Sequence, residues 1–146
     1  MLKNLPPLLT PDLLHALASM GHGDDVALVD AHFPASRLAQ RGGARLVRLP
    51  GVSATQVLDA LLQVLPLDTF GPACAWTMQV VGDAQAVPPA VEEFRQRLAA
   101  QGRRDVATLE RHAFYEQAQQ AYAIVQTGDP RTYANLLVRK GVLGHD

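Results

Sequence analysis

The sequence predicts one α/β domain over residues 1–146, a sandwich in which helices flank a largely parallel sheet. Short, apolar, β-branched runs alternate with stretches of helical periodicity along the chain, which is the pattern of strands joined through helices. A length of 146 residues is one domain's worth. No internal repeat, low-complexity stretch or linker-like segment interrupts it.

The first helix starts at Thr10, an N-cap residue followed by Pro11 and Asp12, both of which suit the unpaired N–H groups of a first turn. Leu13, Leu14, Leu17 and Met20 recur at three- and four-residue spacing and face the core. The helix should end near Met20, with Gly21 as its stop. VALVD is a buried strand ending near Asp30, SRLAQRGG is a short helix or an irregular connection, and ARLVRL (44–49) is a second strand. Ser53 caps the helix ATQVLDALLQVL, which Pro66 closes. CAWTMQVV (74–81) is the third strand. After a turn at GDAQ, a helix enters at Pro88 or Pro89 and runs to Gly102. DVATLE reads as a strand, RHAFYEQAQQA as a helix, YAIVQTG as a strand, TGDPRT as a turn and ANLLVRKG as the last strand.

Composition removes several function classes. Thirteen Lys and Arg against fourteen Asp and Glu give a net charge of -1, and no dense basic run is present to neutralise phosphates, so no nucleic-acid partner is expected. No apolar stretch approaches the ~20 residues that a membrane helix needs, so no membrane partner is expected either. Pro6, Pro7 and Asp12 break any secretory apolar core, and the mature chain is read as starting at Met1. The single cysteine, Cys74, fits a reducing cytoplasm. In an apolar strand it is a small buried hydrophobe rather than a nucleophile.

The densest polar cluster is MGHGDD followed by VDAHFP, with His22, Asp24, Asp25, Asp30 and His32 within eleven residues. An intervening strand would separate His22 from Asp30 by up to ~25 Å along the chain, although the glycines beside His22 would let it fold back. These are ligand types for zinc or manganese, but without diagnostic spacing, so no metal is expected. No phosphate-binding glycine motif occurs, and no nucleotide cofactor is expected. Arg111, Tyr115 and Glu116 share a second cluster. Tyr133 and Asn135 form a third, on one side of a strand if that segment is extended. This mix of donors and acceptors suits a small polar ligand such as a polyol.

In order and spacing, MGHGDD, VDAHFP, RHAFYEQAQQAYAIVQTGD and YANLLVRKGV resemble the fucose mutarotase and ribose pyranase family, and more closely its fucose branch. The resemblance implies an enzyme that interconverts the anomers of a free monosaccharide, L-fucose or a configurational relative, without cofactor or metal. It also implies a ring-shaped homodecamer with sites near subunit contacts. Carried over residue by residue, the proton donor falls on His22, the sugar-binding aspartate on Asp30, and the sugar-binding arginine on Arg111, where ribose-type members tend to have His. The C-terminal binding segment falls on Tyr133 through Asn135, with Tyr133 a binding hydroxyl or the second proton-transfer group. Asp68 sits where some relatives have a functional carboxylate. The segment GPACAWTMQVVGD, with Trp76, departs from the Met-rich stretch of the family and puts the preferred sugar in question. A non-catalytic sugar-binding or sensor protein on the same fold and a D-ribose pyranase stand as alternatives.

The leucines at positions 2, 5, 8 and 9 and the NLLV run in the last strand predict more apolar surface than one subunit hides, and hence a homo-oligomer.

Overall fold

The structure is a computed structural model and describes residues 1–144. Helix α1 (Pro11–Ser19) begins where the sequence places it, and the Thr10 side chain accepts the Leu13 N–H. Then come β1 (Asp25–Val29), α2 (Ala35–Gly42), β2 (Arg45–Leu49), α3 (Ala54–Leu61), β3 (Ala75–Met78), α4 (Pro89–Ala100), β4 (Val106–Leu109), α5 (Arg111–Gln119), β5 (Ala123–Thr127) and β6 (Leu136–Arg139). Ser53 and Gln56 form a reciprocal capping box on α3, so two otherwise unpaired N–H groups are satisfied locally.

The six strands form one sheet in the order β2-β5-β1-β6-β3-β4. All run in one direction except β6, which pairs antiparallel with both β1 and β3. Side chains alternate across the sheet. Val26 and Leu28 of β1 enter one core with Leu13 and Leu17 of α1, Leu58 and Leu61 of α3, and Phe94 and Leu98 of α4. Ala27 and Val29 enter a second core with Leu38 of α2 and Phe114 of α5. Thus α1, α3 and α4 cover one face of the sheet, and α2 and α5 the other.

Three local expectations are corrected. Gly21 is not the stop of α1: Met20 leaves the helix in an extended conformation, and Gly23 takes the left-handed backbone at φ 87°. Tyr133 and Asn135 do not share a strand face, because both precede β6 and Tyr133 itself is left-handed at φ 63°. The apolar-surface argument also changes. Leu136, Leu137 and Val138 are fully buried in a central strand, Leu9 is core, and Leu5 and Leu8 pack against it. The large hydrophobics that remain exposed include Met1, Leu2, Phe70, Val81 and Leu143.

Candidate functional site

The exit of β6 builds one group of polar residues. Lys140 donates from Nζ to the carbonyls of Leu17 and Met20, satisfying the orphan acceptors at the end of α1, and its own carbonyl accepts the Gly23 N–H. Asp24 accepts the Gly21 N–H at 2.7 Å. The loop carrying His22 is thereby tied at both ends. On the other side of β6, Asp68 N–H donates to the Arg139 carbonyl and Gly141 N–H to the Pro66 carbonyl. A Cβ on Gly141 would lie 2.4 Å from the Leu67 oxygen, so only glycine permits this approach.

These two loops bring together residues 46 apart in sequence. His22 Nε2 lies 3.0 Å from Asp68 Oδ1. The Asp68 carboxylate, 3% exposed, also accepts the N–H groups of Phe70 at 3.2 Å and Gly71 at 3.1 Å. Burial works to raise the Asp68 pKa, but the His22 hydrogen bond and the two backbone N–H groups outweigh it and hold the carboxyl below the usual carboxylate range. An ionised Asp68 only accepts, so Nε2 carries a proton and Nδ1 is the ring nitrogen left free of this contact. The His22 side chain is 44% exposed, open to a ligand. Its ring packs against Phe70, with centroids 5.1 Å apart at 57°.

The second group lies at the opposite end of β1, outside the carboxyl ends of the parallel strands, where open α/β sheets commonly bind ligands. Asp30 is buried; its N–H donates to Asn135 Oδ1 at 2.9 Å, and its Oδ1 accepts the His32 N–H at 2.9 Å. Burial pushes the Asp30 pKa up, against the lowering pull of the His32 N–H and the Asn135 side chain. Tyr133 Oη accepts the Val81 N–H at 3.0 Å, which leaves the phenolic proton free to be donated outward. Arg111 is the first residue of α5, directly after the Glu110 cap, and its buried Nε has no hydrogen-bond partner. An unpaired buried donor on a guanidinium is costly unless a ligand oxygen meets it.

The 127–135 segment that holds this group is densely tied. Asp129 accepts the Ala54 N–H, and Arg131 forks onto Asp129 and reaches Glu93 of α4. Arg131 is committed to these carboxylates through Nε and both terminal nitrogens.

Sequence reasoning therefore found the members but not their partnerships. Within the chain Asp30 does not hold His22; Asp68 does. Asn135 meets Asp30, while Tyr133 and Arg111 stand at that same end. Phe70 and Val81 went unrecognised in the sequence. Asp68 followed by Gly71 is a turn signal that could have flagged an exposed Phe70. Cys74 is buried beside Asp105, with burial raising its pKa to about 11, so it is unreactive. Among the described residues no group of three or more His, Cys, Asp or Glu is placed to hold a metal, and no helix is long and apolar enough to cross a membrane.

A model of the RbsD / FucU transport protein family matches residues 3–143. The chain is 43% identical over 146 residues to the fucose mutarotase of Homo sapiens and 42% over 145 residues to that of Bos taurus, covering 97% of this chain and 94% of each relative. The crystal structure of the Streptococcus pneumoniae fucose mutarotase in complex with L-fucose superposes with a TM-score of 0.90 at 36% identity, covering 98% of this chain and 100% of that one. With the family motif spanning nearly every element of the sheet, the chain belongs to the RbsD / FucU family.

Proposed function

We propose that the protein is an L-fucose mutarotase that interconverts the α and β anomers of the free sugar by general acid-base ring opening and closure. The observation that carries this reading is the His22–Asp68 pair, an exposed imidazole held in one tautomer by a buried carboxylate, in a chain more than 40% identical to fucose mutarotases along nearly its whole length. A protein that only bound sugar would have no use for an oriented proton donor.

Mutarotation breaks the bond between the anomeric carbon and the ring oxygen. His22, protonated at Nδ1, gives a proton to the ring oxygen as the anomeric hydroxyl loses one and the aldehyde forms. Tyr133 works at that hydroxyl, receiving its proton while releasing its own to solvent. The Val81 N–H on Oη fixes the phenol so that its free lone pair and its proton are turned to this relay. After the aldehyde turns its other face, the same groups run in reverse. Each well-placed group contributes typically ~10²–10⁴-fold. Asp30, Arg111 and Asn135 hold the sugar hydroxyls, Arg111 through the terminal nitrogens of its guanidinium. Asp68 acts through His22, since its oxygens are already committed to His22 and to two backbone N–H groups. Every step uses proton transfer by side chains alone, so neither metal nor cofactor enters.

Because the two groups lie at opposite ends of β1, a complete site joins the His22 end of one subunit to the Asp30 end of another. This supports a closed homo-oligomer, the decamer implied by the family resemblance, acting on free monosaccharide. The test is saturation transfer between the anomeric protons of L-fucose, with D-ribose as comparison, with and without chelator. Rapid L-fucose exchange insensitive to chelator is expected. Exchange no faster than in buffer leaves a binding protein, and faster pyranose-furanose exchange of D-ribose makes the enzyme a ribose pyranase.

A further inference from the structure

We infer that Phe70 is the specificity-determining residue that receives the C5 methyl group of the sugar. The inference rests on the mutarotase reading and names the residue that tells L-fucose from sugars lacking its methyl. Phe70 is 73% exposed, a large cost for an aromatic ring in a chain this small. The exposure is imposed by the backbone: Asp68 accepts the N–H groups of both Phe70 and Gly71, which fixes the turn and presents the ring outward. The same carboxylate binds His22, so one buried group sets the positions of the proton donor and of the aromatic ring.

The chemistry of the step then places the methyl. The ring oxygen that His22 protonates is bonded to C5, and C5 carries the methyl, so the methyl lies two bonds from the atom that receives the proton. A side chain packed against the imidazole, as Phe70 is with centroids 5.1 Å apart, is placed to cover it. Val81 is another exposed apolar side chain beside a site residue. Its N–H is on Tyr133, however, and Tyr133 works at the anomeric hydroxyl on the far side of the ring oxygen. The aromatic face offers an apolar surface where L-fucose has its one apolar substituent, and it offers nothing to a hydroxymethyl group.

D-arabinopyranose shares the ring configuration of L-fucose and has hydrogen in place of the methyl, so comparing the two isolates this contact. The kcat/KM for anomer exchange is measured by saturation transfer for both sugars with the wild-type protein, Phe70→Ala and Phe70→Leu, each checked for folding and for assembly mass. Phe70→Ala is expected to lower the ratio of L-fucose to D-arabinose by about 10-fold, the lower end of the scale of one methyl in an apolar pocket. Phe70→Leu, which keeps an apolar wall, should restore most of that ratio. An unchanged ratio, an equal fall for both sugars, or a change in assembly mass with Phe70→Ala would overturn the assignment while leaving the mutarotase reading intact. A wild-type protein that exchanges neither sugar would overturn that reading, and the role of Phe70 with it.

Discussion

Replacing Asp68 by Asn keeps the shape of the side chain and removes its charge, which makes it the sharpest probe of the His22 arrangement. In the wild-type structure Oδ1 serves His22 Nε2 at 3.0 Å and Phe70 N at 3.2 Å, and Oδ2 serves Gly71 N at 3.1 Å. An amide has one acceptor oxygen. If that oxygen stays toward His22, the NH₂ faces the Gly71 N–H, donor against donor. If it turns toward Gly71, the NH₂ faces the Phe70 N–H, donor against donor, and His22 keeps the contact only by turning Nε2 into an acceptor. Either way one donor beside a nearly buried group goes unpaired, which costs about 1–3 kcal/mol. Asp68→Asn should therefore stay folded and lose about that much stability in urea unfolding near neutral pH. Exchange of L-fucose should fall further, by about 10- to 10²-fold, because the carboxylate that holds His22 in its Nε2–H tautomer is gone. The stability difference also carries a pH signature. The folded pKa of Asp68 lies below its ordinary 3.8, so its stabilisation is complete above the unfolded value and is lost as pH falls through the folded one. The gap between wild type and variant should narrow below about pH 4. A folded Asp68→Asn protein that exchanges L-fucose within twofold of wild type would refute the reasoning, as would a stability gap that widens in acid.

Other outcomes follow from the same geometry. His22→Ala should lower exchange by about 10²-fold or more and cost about 1 kcal/mol in urea unfolding, because the ring is half exposed but Asp68 loses its hydrogen bond. Tyr133→Phe, which removes the oxygen on the Val81 N–H, should lower exchange by about 10²-fold or more with the sheet intact by circular dichroism. Gly128→Ala should cost about 2–3 kcal/mol in urea unfolding, since its Cβ would lie 1.8 Å from the Pro50 oxygen beside the β5 exit.

Much of the fold was legible because its signals are local. Thr10 and Ser53 announce their helices through side-chain oxygens that reach N–H groups only three residues away, and every strand has a short apolar run of its own. The direction and central place of β6 were not legible. They depend on pairing Leu136 with Leu28 and with Thr77, far apart along the chain, and the same NLLV run suits an exposed or a buried strand. His22, Asp30, Arg111, Tyr133 and Asn135 stood out through their residue types and family spacing. That Asp68 rather than Asp30 orients His22 did not, because the contact is made by two loops that meet only when β6 ends between them. The left-handed backbone of Tyr133 was hidden for a related reason. No residue type at that position signals it, and ties from Asp129, Arg131 and the Val81 N–H hold the surrounding segment.

Complementation between subunits decides whether the proposed site is split between them. His22→Ala and Arg111→Ala chains, each nearly inactive alone, are co-expressed with separable tags, and the mixed assembly is purified through both. If one subunit supplies the His22 end and its neighbour the Arg111 end, random mixing restores about a quarter of the sites, and L-fucose exchange should return to about a quarter of the wild-type rate. Exchange that stays at the level of the two single variants would contradict the account.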